Sequence, residues 1–500
     1  MDVLSMLGHG FSVALQPINL LLVSLGVIAG TVVGVLPGIG PISAVALLIP
    51  MTFKLPAVSA IIAMAGVYYG AMYGGSTTSI LLKTPGEASS VVTTFDGYEL
   101  ARQGRAGSAL GVAAIGSFIA GTLGVVLMMV GGPPLGRLAL AFQPPEYFAL
   151  MLLGLTATAS FAEGSVAKAL ISMLVGLALG TIGIDLQTGT TRFTFGNPEL
   201  LDGVEFLVVA LGLFAIAEVL WEVVQPETLA QRIPVKTPYP TREDLRQSWR
   251  PMLRGGLIGF LLGVLPGVGA STSSFIVYSI EKQVSKHPER FGRGAIEGVA
   301  APESANNGAA SGAMVPLLTL GLPGSATTAV MLGALMIHGI QPGPLLIPQH
   351  PEIFWGLVAS MYIGNVMLLI LNLPLVPLFA RILDIPKPLL LAAVVALSFI
   401  GVYAINNSLL DLLMLIAFGV LGFVMRVYRF PAAPMVLAIV LGPLMEQTMR
   451  QAMMMSRGNP SIFFTRPLSL VVLVLSALLL LVPMMRRRRA PASLPSGTPA

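Results

Sequence analysis

The sequence predicts an all-α polytopic membrane protein made of two inverted-topology repeats, with broken helices, re-entrant hairpins and about ten to twelve transmembrane spans. Three observations lead to this fold class: the composition, a duplicated Gly/Pro motif and the distribution of basic loops. Of the 500 residues, 55% are hydrophobic and only 10% are charged. Soluble domains carry roughly 25% charged residues, so this chain is expected to lie largely within a bilayer.

The composition also excludes several functional classes. The chain has no Cys, which rules out disulfides, thiolate metal sites and thiol nucleophiles. The net charge is +5 and the basic residues are spread over short loops, a pattern that favours membrane orientation over nucleic-acid binding. The first ten residues, MDVLSMLGHG, contain no Lys or Arg before the first apolar run, which is atypical of a cleaved signal peptide.

The duplicated motif defines the repeats. Residues 34–40 read GVLPGIG and residues 263–269 read GVLPGVG, 229 positions apart. A second pair follows at an offset of 238 positions, where the segment 69–86 aligns with 307–324 and the Pro-Gly of each copy coincides. The extra nine residues fall in the loop near 280–293. Paired Gly/Pro-interrupted apolar segments at matching places in two halves indicate a transport site.

The first half consists of apolar segments divided by polar loops. Segment 42–53 is too short to cross a hydrocarbon core of ~30 Å and is therefore predicted to be a re-entrant half-helix. Segment 57–82 contains YYGAMYGGSTTS, whose small residues favour close helix contact or a water-lined cavity over a lipid face. The other spans of this half are predicted at 11–33, 107–131, 147–160, 165–184 and 204–224.

The second half follows the longest polar segment of the chain. Its apolar segments are predicted at 253–265, 270–280, 294–320, 324–340, 353–380, 388–403, 409–425, 431–445 and 467–485. The chain is thus predicted to divide into four parts, which are a first repeat half (1–224), a cytoplasmic linker (225–252), a second repeat half (253–485) and a basic, disordered cytoplasmic tail (486–500).

Loop charges indicate how the repeats are related. By the positive-inside rule, the basic linker and the basic tail are cytoplasmic. The loop that follows the second LPGVG is basic, whereas its partner at 51–56 has only Lys54; after the Pro-Gly breaks the bias reverses, because loop 87–106 is basic and 334–351 has no Lys or Arg. Matching loops fall on opposite sides, which favours inverted repeats. Loop 450–466 conflicts with this orientation, because it carries three Arg residues opposite a basic tail.

The two LPGxG breaks are predicted to bind the anionic substrate. Pro ends the preceding helix, and Gly permits positive φ and the close approach of a ligand. The half-helix that follows directs free N–H groups and its positive dipole end into the membrane, an arrangement that binds carboxylates. The alternative is a simple kink. The residues of the prediction are Pro37, Gly38, Gly40, Pro266, Gly267 and Gly269.

A run of hydroxyl side chains and a lysine are added to the predicted substrate site. The lysine, Lys83, precedes the Thr84-Pro85-Gly86 break, where an ammonium would suit an anion. Its alternative is snorkelling to the interface from a helix end. The hydroxyl run would bind substrate or Na⁺, or alternatively join helices through small polar residues. Its members are Ser76, Thr77, Thr78 and Ser79.

The strongest polar cluster of the second half is predicted to bind the coupling ion. Carboxylate and amide oxygens are hard ligands for a cation, and a Glu can carry a proton. The alternative is a loop outside the bilayer. The residues are Glu303, Asn306 and Asn307, together with Pro323 and Gly324 of the second Pro-Gly break.

Enzymatic motifs are missing from the sequence. It contains no H-E-x-x-H, no G-K-[ST] phosphate loop and no G-x-S-x-G, and its four His residues have no metal-ligand spacing. No catalytic residue, metal site or cofactor is predicted, apart from the coupling ion.

These motifs resemble the TctA family, the large membrane subunit of tripartite tricarboxylate transporters. The resemblance rests on GVLPGIGPISAVALLIP, on YYGAMYGGSTTSILLKTPGEASSVVTTFDGYELARQG, on GVLPGVGAS and on PESANNGAASGAMVPLLTLGLPGSATTAVMLGALMIHGIQPGP, and spans about residues 15–445. It implies a multi-pass transporter of the bacterial inner membrane for organic carboxylates, with a TctB-type small membrane subunit and a TctC-type periplasmic solute-binding protein as partners.

From this resemblance we expect symport driven by Na⁺ or H⁺ rather than by ATP, with alternating access of the elevator type as one possibility. A passive organic-anion channel is the alternative, and ion coupling distinguishes the two, since a channel cannot accumulate solute against a gradient.

Overall fold

The computed structural model describes residues 3–36, 40–161, 165–185, 188–224, 233, 239–379 and 386–489. Within these ranges the chain is helical apart from loops and one antiparallel hairpin, formed by β1 (Gly183–Ile184) and β2 (Thr191–Arg192). Seven described helices are long and apolar enough to cross a membrane. The predicted all-α membrane protein is confirmed, and these seven helices are fewer than the ten to twelve predicted spans.

The first half contains ten helices among the described residues. The helix α9 continues without a break through a π-helical segment, Leu211–Ile216, into α10. The bounds are α1 (Val3–Ala14), α2 (Pro17–Val35), α3 (Pro41–Thr52), α4 (Ala57–Leu82), α5 (Thr93–Leu100), α6 (Ala106–Ala139), α7 (Pro144–Phe161), α8 (Val166–Leu179), α9 (Phe206–Ala210) and α10 (Ala217–Val224), with short 3₁₀ turns at Ala88–Val91 and Pro198–Leu200 and a π-helical segment at Ala101–Arg105.

The second half contains twelve helices among the described residues. Its first helix begins at Arg242, inside the predicted linker, and its last runs through Arg489, while the tail at 490–500 lies outside the described residues. The bounds are α11 (Arg242–Val264), α12 (Gly269–Val284), α13 (Glu297–Leu320), α14 (Ala326–Ile337), α15 (Leu346–Gln349), α16 (Pro351–Asn372), α17 (Val376–Phe379), α18 (Lys387–Asn406), α19 (Leu409–Val427), α20 (Ala433–Met455), α21 (Ile462–Thr465) and α22 (Pro467–Arg489), with a 3₁₀ turn at Pro288–Arg290.

Glycines hold α2 directly against α4. Gly30 and Gly34, one turn apart, face the α4 backbone so closely that a Cβ on either would lie 2.8 Å from the Cα of Val67 or Ala71. Only glycine permits this approach, which gives the two helices an extended backbone contact.

The same contact recurs between α11 and α13. A Cβ on Gly259 or Gly263 would lie 2.6 Å from the Cα of Ala305 or Ala309. These glycines follow those of α2 by 229 positions, and their α13 partners follow the α4 partners by 238 positions, which are the two offsets of the sequence repeat. The duplication seen in the sequence is therefore also a duplication of local structure.

The helices on either side of each break form a helical hairpin. Gly26, Gly30 and Gly34 meet α4 at positions that advance in the same direction, so α2 and α4 are parallel. The intervening α3 must therefore run back toward the level at which α2 began. After α4 ends, the chain also turns back, and Gly86 packs against Gly34 and Gly75. The segment α11–α12–α13 repeats this path, with Gly324 packed against Gly263.

The two equivalent long helices, α4 and α13, run in opposite directions where they meet. The Tyr69 hydroxyl donates to Ser311 Oγ at 3.1 Å, and Ser76 Oγ donates to Glu303 Oε2 at 2.5 Å. As the α4 position rises from 69 to 76, the α13 position falls from 311 to 303. Equivalent elements of the two repeats are thus antiparallel at this contact.

Ion pairs identify the two ends of the helical body. At one end, called the linker side here, Arg105 pairs with Asp244 near the start of α11, and Ile233 N donates to Leu81 O at 3.3 Å. The helix α6 carries the chain from there to the opposite side, where α7 begins and Arg466 Nε lies 2.5 Å from Glu146 Oε1.

The arginines of loop 450–466 lie on the opposite side, and their charge is largely compensated. Arg450 pairs with Asp185 at 3.0 Å, and Arg466 pairs with Glu146. The helix α22 then runs parallel to α7, with Ser469 near its start bonded to Pro145 O and Leu479 O accepting from Ser160. The basic end of α22 therefore returns to the linker side, and ion pairs compensate two of the three arginines of loop 450–466 opposite it.

Candidate functional site

Both hairpin tips line one cavity of about 640 Å³. From the first repeat it is lined by residues 40–42 at the start of α3 and by residues 84–88 after α4. From the second repeat it is lined by residues 267–272 at the start of α12 and by residues 325–327 at the start of α14. Side chains of α7, α10, α19 and α20 complete the wall. The duplicated motifs, far apart in sequence, thus share one site.

The second LPGVG break requires its glycines. Gly267 has φ +80° and Gly269 has φ +63°, conformations that L side chains rarely adopt. A Cβ on Gly267 would also lie 2.5 Å from Thr158 N of α7. Pro266 stands in the turn between α11 and α12, and Gly267 N donates to Gly324 O at 3.1 Å. This bond joins the two breaks of the second repeat.

The first break is described on either side of the motif. Gly40 is the N-cap of α3 with φ −34°, so it does not adopt the positive φ for which glycine was expected and which its repeat equivalent Gly269 has. Pro41 occupies the first helical position, where its missing N–H costs nothing. Pro37 and Gly38 lie outside the described residues. The first turns of α3 and α12 both border the cavity, so two helix N-termini with unpaired N–H groups are available to an anion there.

The hydroxyl run at 76–79 is buried and does not line this cavity. Ser76 donates to Glu303, and Ser79 Oγ donates to Ser90 O at 3.0 Å. Thr78 Oγ1 donates to Gly75 O at 3.2 Å, and Thr77 borders a separate void of about 10 Å³ beside α6. The structure therefore associates Ser76 with the predicted ion cluster rather than with the predicted anion site.

Lys83 lies away from the cavity. It ends α4 in the left-handed conformation, with φ 59°. Its side chain is 58% exposed, its Nζ lies 3.9 Å from Glu99 Oε1, and it stands 5.3 Å from the centroid of the Tyr98 ring. Since the chain turns back after this residue, the ammonium remains at the linker side while the Pro-Gly break returns to the cavity.

Glu303 is the centre of a buried polar network between α4 and α13. Its carboxylate has 0% exposure and accepts hydrogen bonds from Ser76, from Thr93 Oγ1 and from Asn306 Nδ2, the last at 3.2 Å. Asn307 Nδ2 continues the network to Asn306 Oδ1 at 2.5 Å and to Ser117 Oγ at 2.8 Å. Three of the five predicted ion-binding residues, Glu303, Asn306 and Asn307, are therefore brought together inside the helix bundle and not in a loop.

This network offers several oxygens to a small cation. Asn307 Oδ1 is buried and has no hydrogen-bond partner among the described residues. Among all the residues that the structure describes, no group of three or more His, Asp or Glu side chains is placed to share one metal ion. Pro323 and Gly324 stand apart from the network, since Gly324 packs between Gly263 and Ala313.

Several residues of the cavity wall were missed by the sequence reasoning. Glu87 and Ser325 directly follow the two Pro-Gly breaks, occupy equivalent repeat positions and form capping boxes for the turns that follow them. Their position after a duplicated motif was the signal that could have found them. Three charged wall residues, Glu218, Glu222 and Arg426, belong to α10 and α19 and carry no motif.

Comparison with known proteins gives a family for this architecture. The model of the tripartite tricarboxylate transporter TctA family matches residues 20–437. An uncharacterised 52.8 kDa protein in the TAR-I ttuC' 3' region of Agrobacterium vitis is 48% identical over 478 residues, which is 95% of each chain. An uncharacterised protein in the TAR-II ttuC' 3' region of the same organism is 48% identical over 209 residues, covering 42% of this chain and 86% of the relative. No solved structure matches the chain.

Proposed function

The chain belongs to the tripartite tricarboxylate transporter TctA family, and we propose that it is the membrane subunit through which an ion gradient drives the import of organic carboxylates. The family is described as one of tripartite tricarboxylate transporters, which supports a role as a transporter component. We further propose the substrate class, the coupling to an ion and the direction of transport.

One observation carries the proposal: two duplicated broken helices end at a single cavity of about 640 Å³. A volume of this order suits a small organic acid. The first turns of α3 and α12 present backbone N–H groups and positive dipole ends to the cavity, and both features favour a carboxylate. The Ser271, Thr272, Ser325 and Thr327 positions on the wall supply hydroxyl groups for its remaining oxygens.

The antiparallel contact of α4 with α13 supports inverted repeats. In transporters with this symmetry, two halves of similar structure enter the membrane from opposite sides and exchange access by rocking or sliding around a shared site. The cavity wall includes Glu218 and Glu222, which lie within two turns of the end of α10 at Val224, where the linker begins. If the basic linker is cytoplasmic, the cavity faces inward, and an elevator-type movement of the hairpin tips would expose it on the other side.

The buried Glu303 network is the proposed site of the coupling ion, which is Na⁺ or H⁺. A carboxylate at this depth is costly unless it is paired, protonated or bound to a cation, and such residues usually serve ion or proton transfer. The network touches α4 through Ser76, and α4 leads into the Pro-Gly break at the cavity. The two sites are therefore joined through one helix, which is what coupled binding requires.

The family description also implies two partners. A TctB-type small membrane subunit and a TctC-type periplasmic solute-binding protein are proposed to complete the system in the bacterial inner membrane. The binding protein would deliver the carboxylate on the side opposite the linker.

Reconstitution tests the proposed function. The chain is placed in proteoliposomes with its small subunit, with the binding protein outside, and the uptake of radiolabelled citrate, malate and benzoate is measured under imposed Na⁺ or H⁺ gradients. A tenfold gradient of one coupled ion should concentrate a probe up to about tenfold inside. An ionophore that collapses the gradient should abolish this accumulation, and Gly267→Val, which blocks the second break, serves as the inactive control.

The passive channel predicts a different result in the same assay. A channel would bring the probe to its equilibrium distribution and no further, whichever gradient is imposed. Uptake that requires ATP and ignores both gradients would contradict secondary transport altogether.

A further inference from the structure

Arg426, near the end of α19, is the one cationic side chain among the described residues that line the central cavity. It also borders an adjoining cavity of about 230 Å³, together with Gly40, Ile42 and Ser43 of the first half-helix. Arg426 and the N-terminal turn of α3 thus line the same adjoining cavity. A cation and a helix N-terminus attract the same ligand, an anion.

Two side chains of α10 hold Arg426 in place. Its Nη1 forms an ion pair with Glu218 Oε2, and its Cζ lies 4.5 Å from the centroid of the Trp221 ring. Glu218 and Trp221 are three residues apart and share one face of α10. Stacking on an aromatic ring fixes the plane of the guanidinium, and its five donors exceed what one carboxylate oxygen uses.

The other carboxylates of the wall are already satisfied. Glu222 forms an ion pair with Lys387, and Glu87 caps the turn after the first break, where it accepts a hydrogen bond from Ser89 N at 3.1 Å. With three carboxylates on the wall, an anionic ligand would be repelled unless a cation received it. Arg426 is the group that can do so, and Glu218 competes for it directly.

We propose that Arg426 binds a carboxylate group of the transported anion, and that Glu218 occupies Arg426 when the cavity is empty. The inference rests on the proposed function and adds the residue that recognises the substrate. When the ligand binds, its carboxylate replaces the carboxylate of Glu218 at the guanidinium. The guanidinium can then donate two parallel N–H hydrogen bonds to the ligand. The internal carboxylate lowers the affinity for substrate and favours release into the compartment that the cavity faces.

The competition makes opposite predictions for the two partners of the ion pair. Arg426→Gln should weaken binding at least roughly 30-fold, since it removes a charge-assisted contact from a partly enclosed site. Arg426→Lys should weaken it roughly fivefold, because an ammonium cannot make the two-pronged contact. Glu218→Gln should tighten binding roughly three- to tenfold, because the guanidinium is released. A gain in affinity cannot result from misfolding.

The experiment uses the full-length chain in lipid nanodiscs, with citrate, malate and benzoate titrated calorimetrically. The probe that the unmodified chain binds best is then used for each variant, and uptake is measured in parallel with the complete three-component system. The double variant Glu218→Gln/Arg426→Gln leaves no unpaired charge and should bind as weakly as Arg426→Gln. The matched control is Arg254→Gln, since Arg254 pairs with Glu281 at a similar exposure but does not line the cavity.

The outcomes separate the two levels of the proposal. An Arg426→Gln chain that binds within twofold of the unmodified protein, or a Glu218→Gln chain that binds more weakly, overturns the assignment of Arg426 while transport stands. An unmodified chain that neither binds nor transports any of the three probes overturns the proposed function itself.

Discussion

The chain segments that follow α4 and α13 have similar backbone conformations but different side-chain chemistry. The residue after the first Pro-Gly break, Glu87, has φ −151° and ψ 166°; its counterpart, Ser325, has φ −152° and ψ 168°. The residues that end the two long helices, Lys83 and Gly321, are both left-handed, with φ 59° and 69°. Main-chain geometry is therefore duplicated to within about ten degrees at these two pairs of positions, where the side chains differ completely.

The polar side chains are not duplicated between the two repeats. The positions of Glu303, Asn306 and Asn307 on α13 correspond to Ala65, Tyr68 and Tyr69 on α4. Glu303 organises a buried network, whereas Tyr68 lines the central cavity and Tyr69 reaches Ser311 of the other repeat. The comparison indicates that the glycine-dependent backbone contacts define the shape of the site, and that each repeat then contributes its own chemistry. Substitutions that fill the glycine contacts should therefore have the largest effects, and these should be equal in the two repeats. Substitutions of polar side chains should have smaller effects that differ between the repeats.

The largest expected effect is loss of the folded chain when a glycine contact is filled, equally in either repeat. Gly30→Ala and Gly259→Ala each place a Cβ closer than 3 Å to the backbone of the neighbouring helix, which should cost about 3 kcal/mol or more. Gly131→Ala is the matched control, because a Cβ there meets nothing within 4 Å and alanine favours a helix. Thermal unfolding of the detergent-solubilised chain, followed by size-exclusion chromatography, measures the difference. A tolerated substitution in one repeat only would show that the two contacts are not equivalent.

A functional loss without unfolding is expected next, from the second repeat alone. Glu303→Gln keeps the shape of the side chain and one accepting oxygen but removes the carboxylate that is proposed to bind the ion or proton. Gradient-driven accumulation should disappear while exchange of labelled for unlabelled probe across the same proteoliposomes is retained. Tyr69→Phe, at the first-repeat position equivalent to Asn307, removes one hydrogen bond to Ser311 and should leave accumulation within about threefold, in line with ~1 kcal/mol or less. Equal losses in both variants would contradict the division of labour between the repeats.

The smallest expected effect concerns Lys83 and Gly321. A non-glycine residue in the left-handed region costs roughly 1–2 kcal/mol, and the exposed contact of Lys83 with Glu99 offsets little of it. Lys83→Gly should therefore stabilise the chain by about 0.5–1 kcal/mol. Gly321→Ala should destabilise it by about 1–2 kcal/mol, since its Cβ would also lie 2.7 Å from Pro342 O. Both changes are read from thermal unfolding curves.

Lys83→Met also tests the anion site. With its ammonium more than half exposed and outside the cavity wall, its replacement should leave the substrate KM within about twofold. A tenfold or greater rise in KM would mean that Lys83 reaches the substrate in another state of the transport cycle.

Part of the candidate site was predictable because the residues that indicate it are close together in the sequence. Gly267 and Gly269 were chosen because glycine permits positive φ and have it, whereas Gly40, chosen for the same reason, has φ −34°. Glu303, Asn306 and Asn307 were grouped because they are polar and lie within five residues of one another. Ser76 was assigned to the substrate and instead contacts Glu303, since a hydroxyl in a run of small residues does not reveal which neighbouring helix it faces. Arg426 and Glu218 were missed because neither belongs to a motif.

The sequence by itself determined the membrane class and the duplication, because composition and repeat offsets are properties of the chain that survive in any arrangement of its helices. Only the tertiary structure decided which charges reach the cavity. Lys83 is next to a Pro-Gly break in sequence, yet α4 carries it about 12 Å beyond the level of Gly75, at 1.5 Å per residue, before the chain turns back. Arg426 is more than 150 residues from either LPGxG motif and still lines the same wall, because the fold brings α10 and α19 to the cavity that the first half-helix borders. Electrostatic contact depends on distance through space, and the order of residues in a bundle of antiparallel and re-entrant helices does not specify that distance.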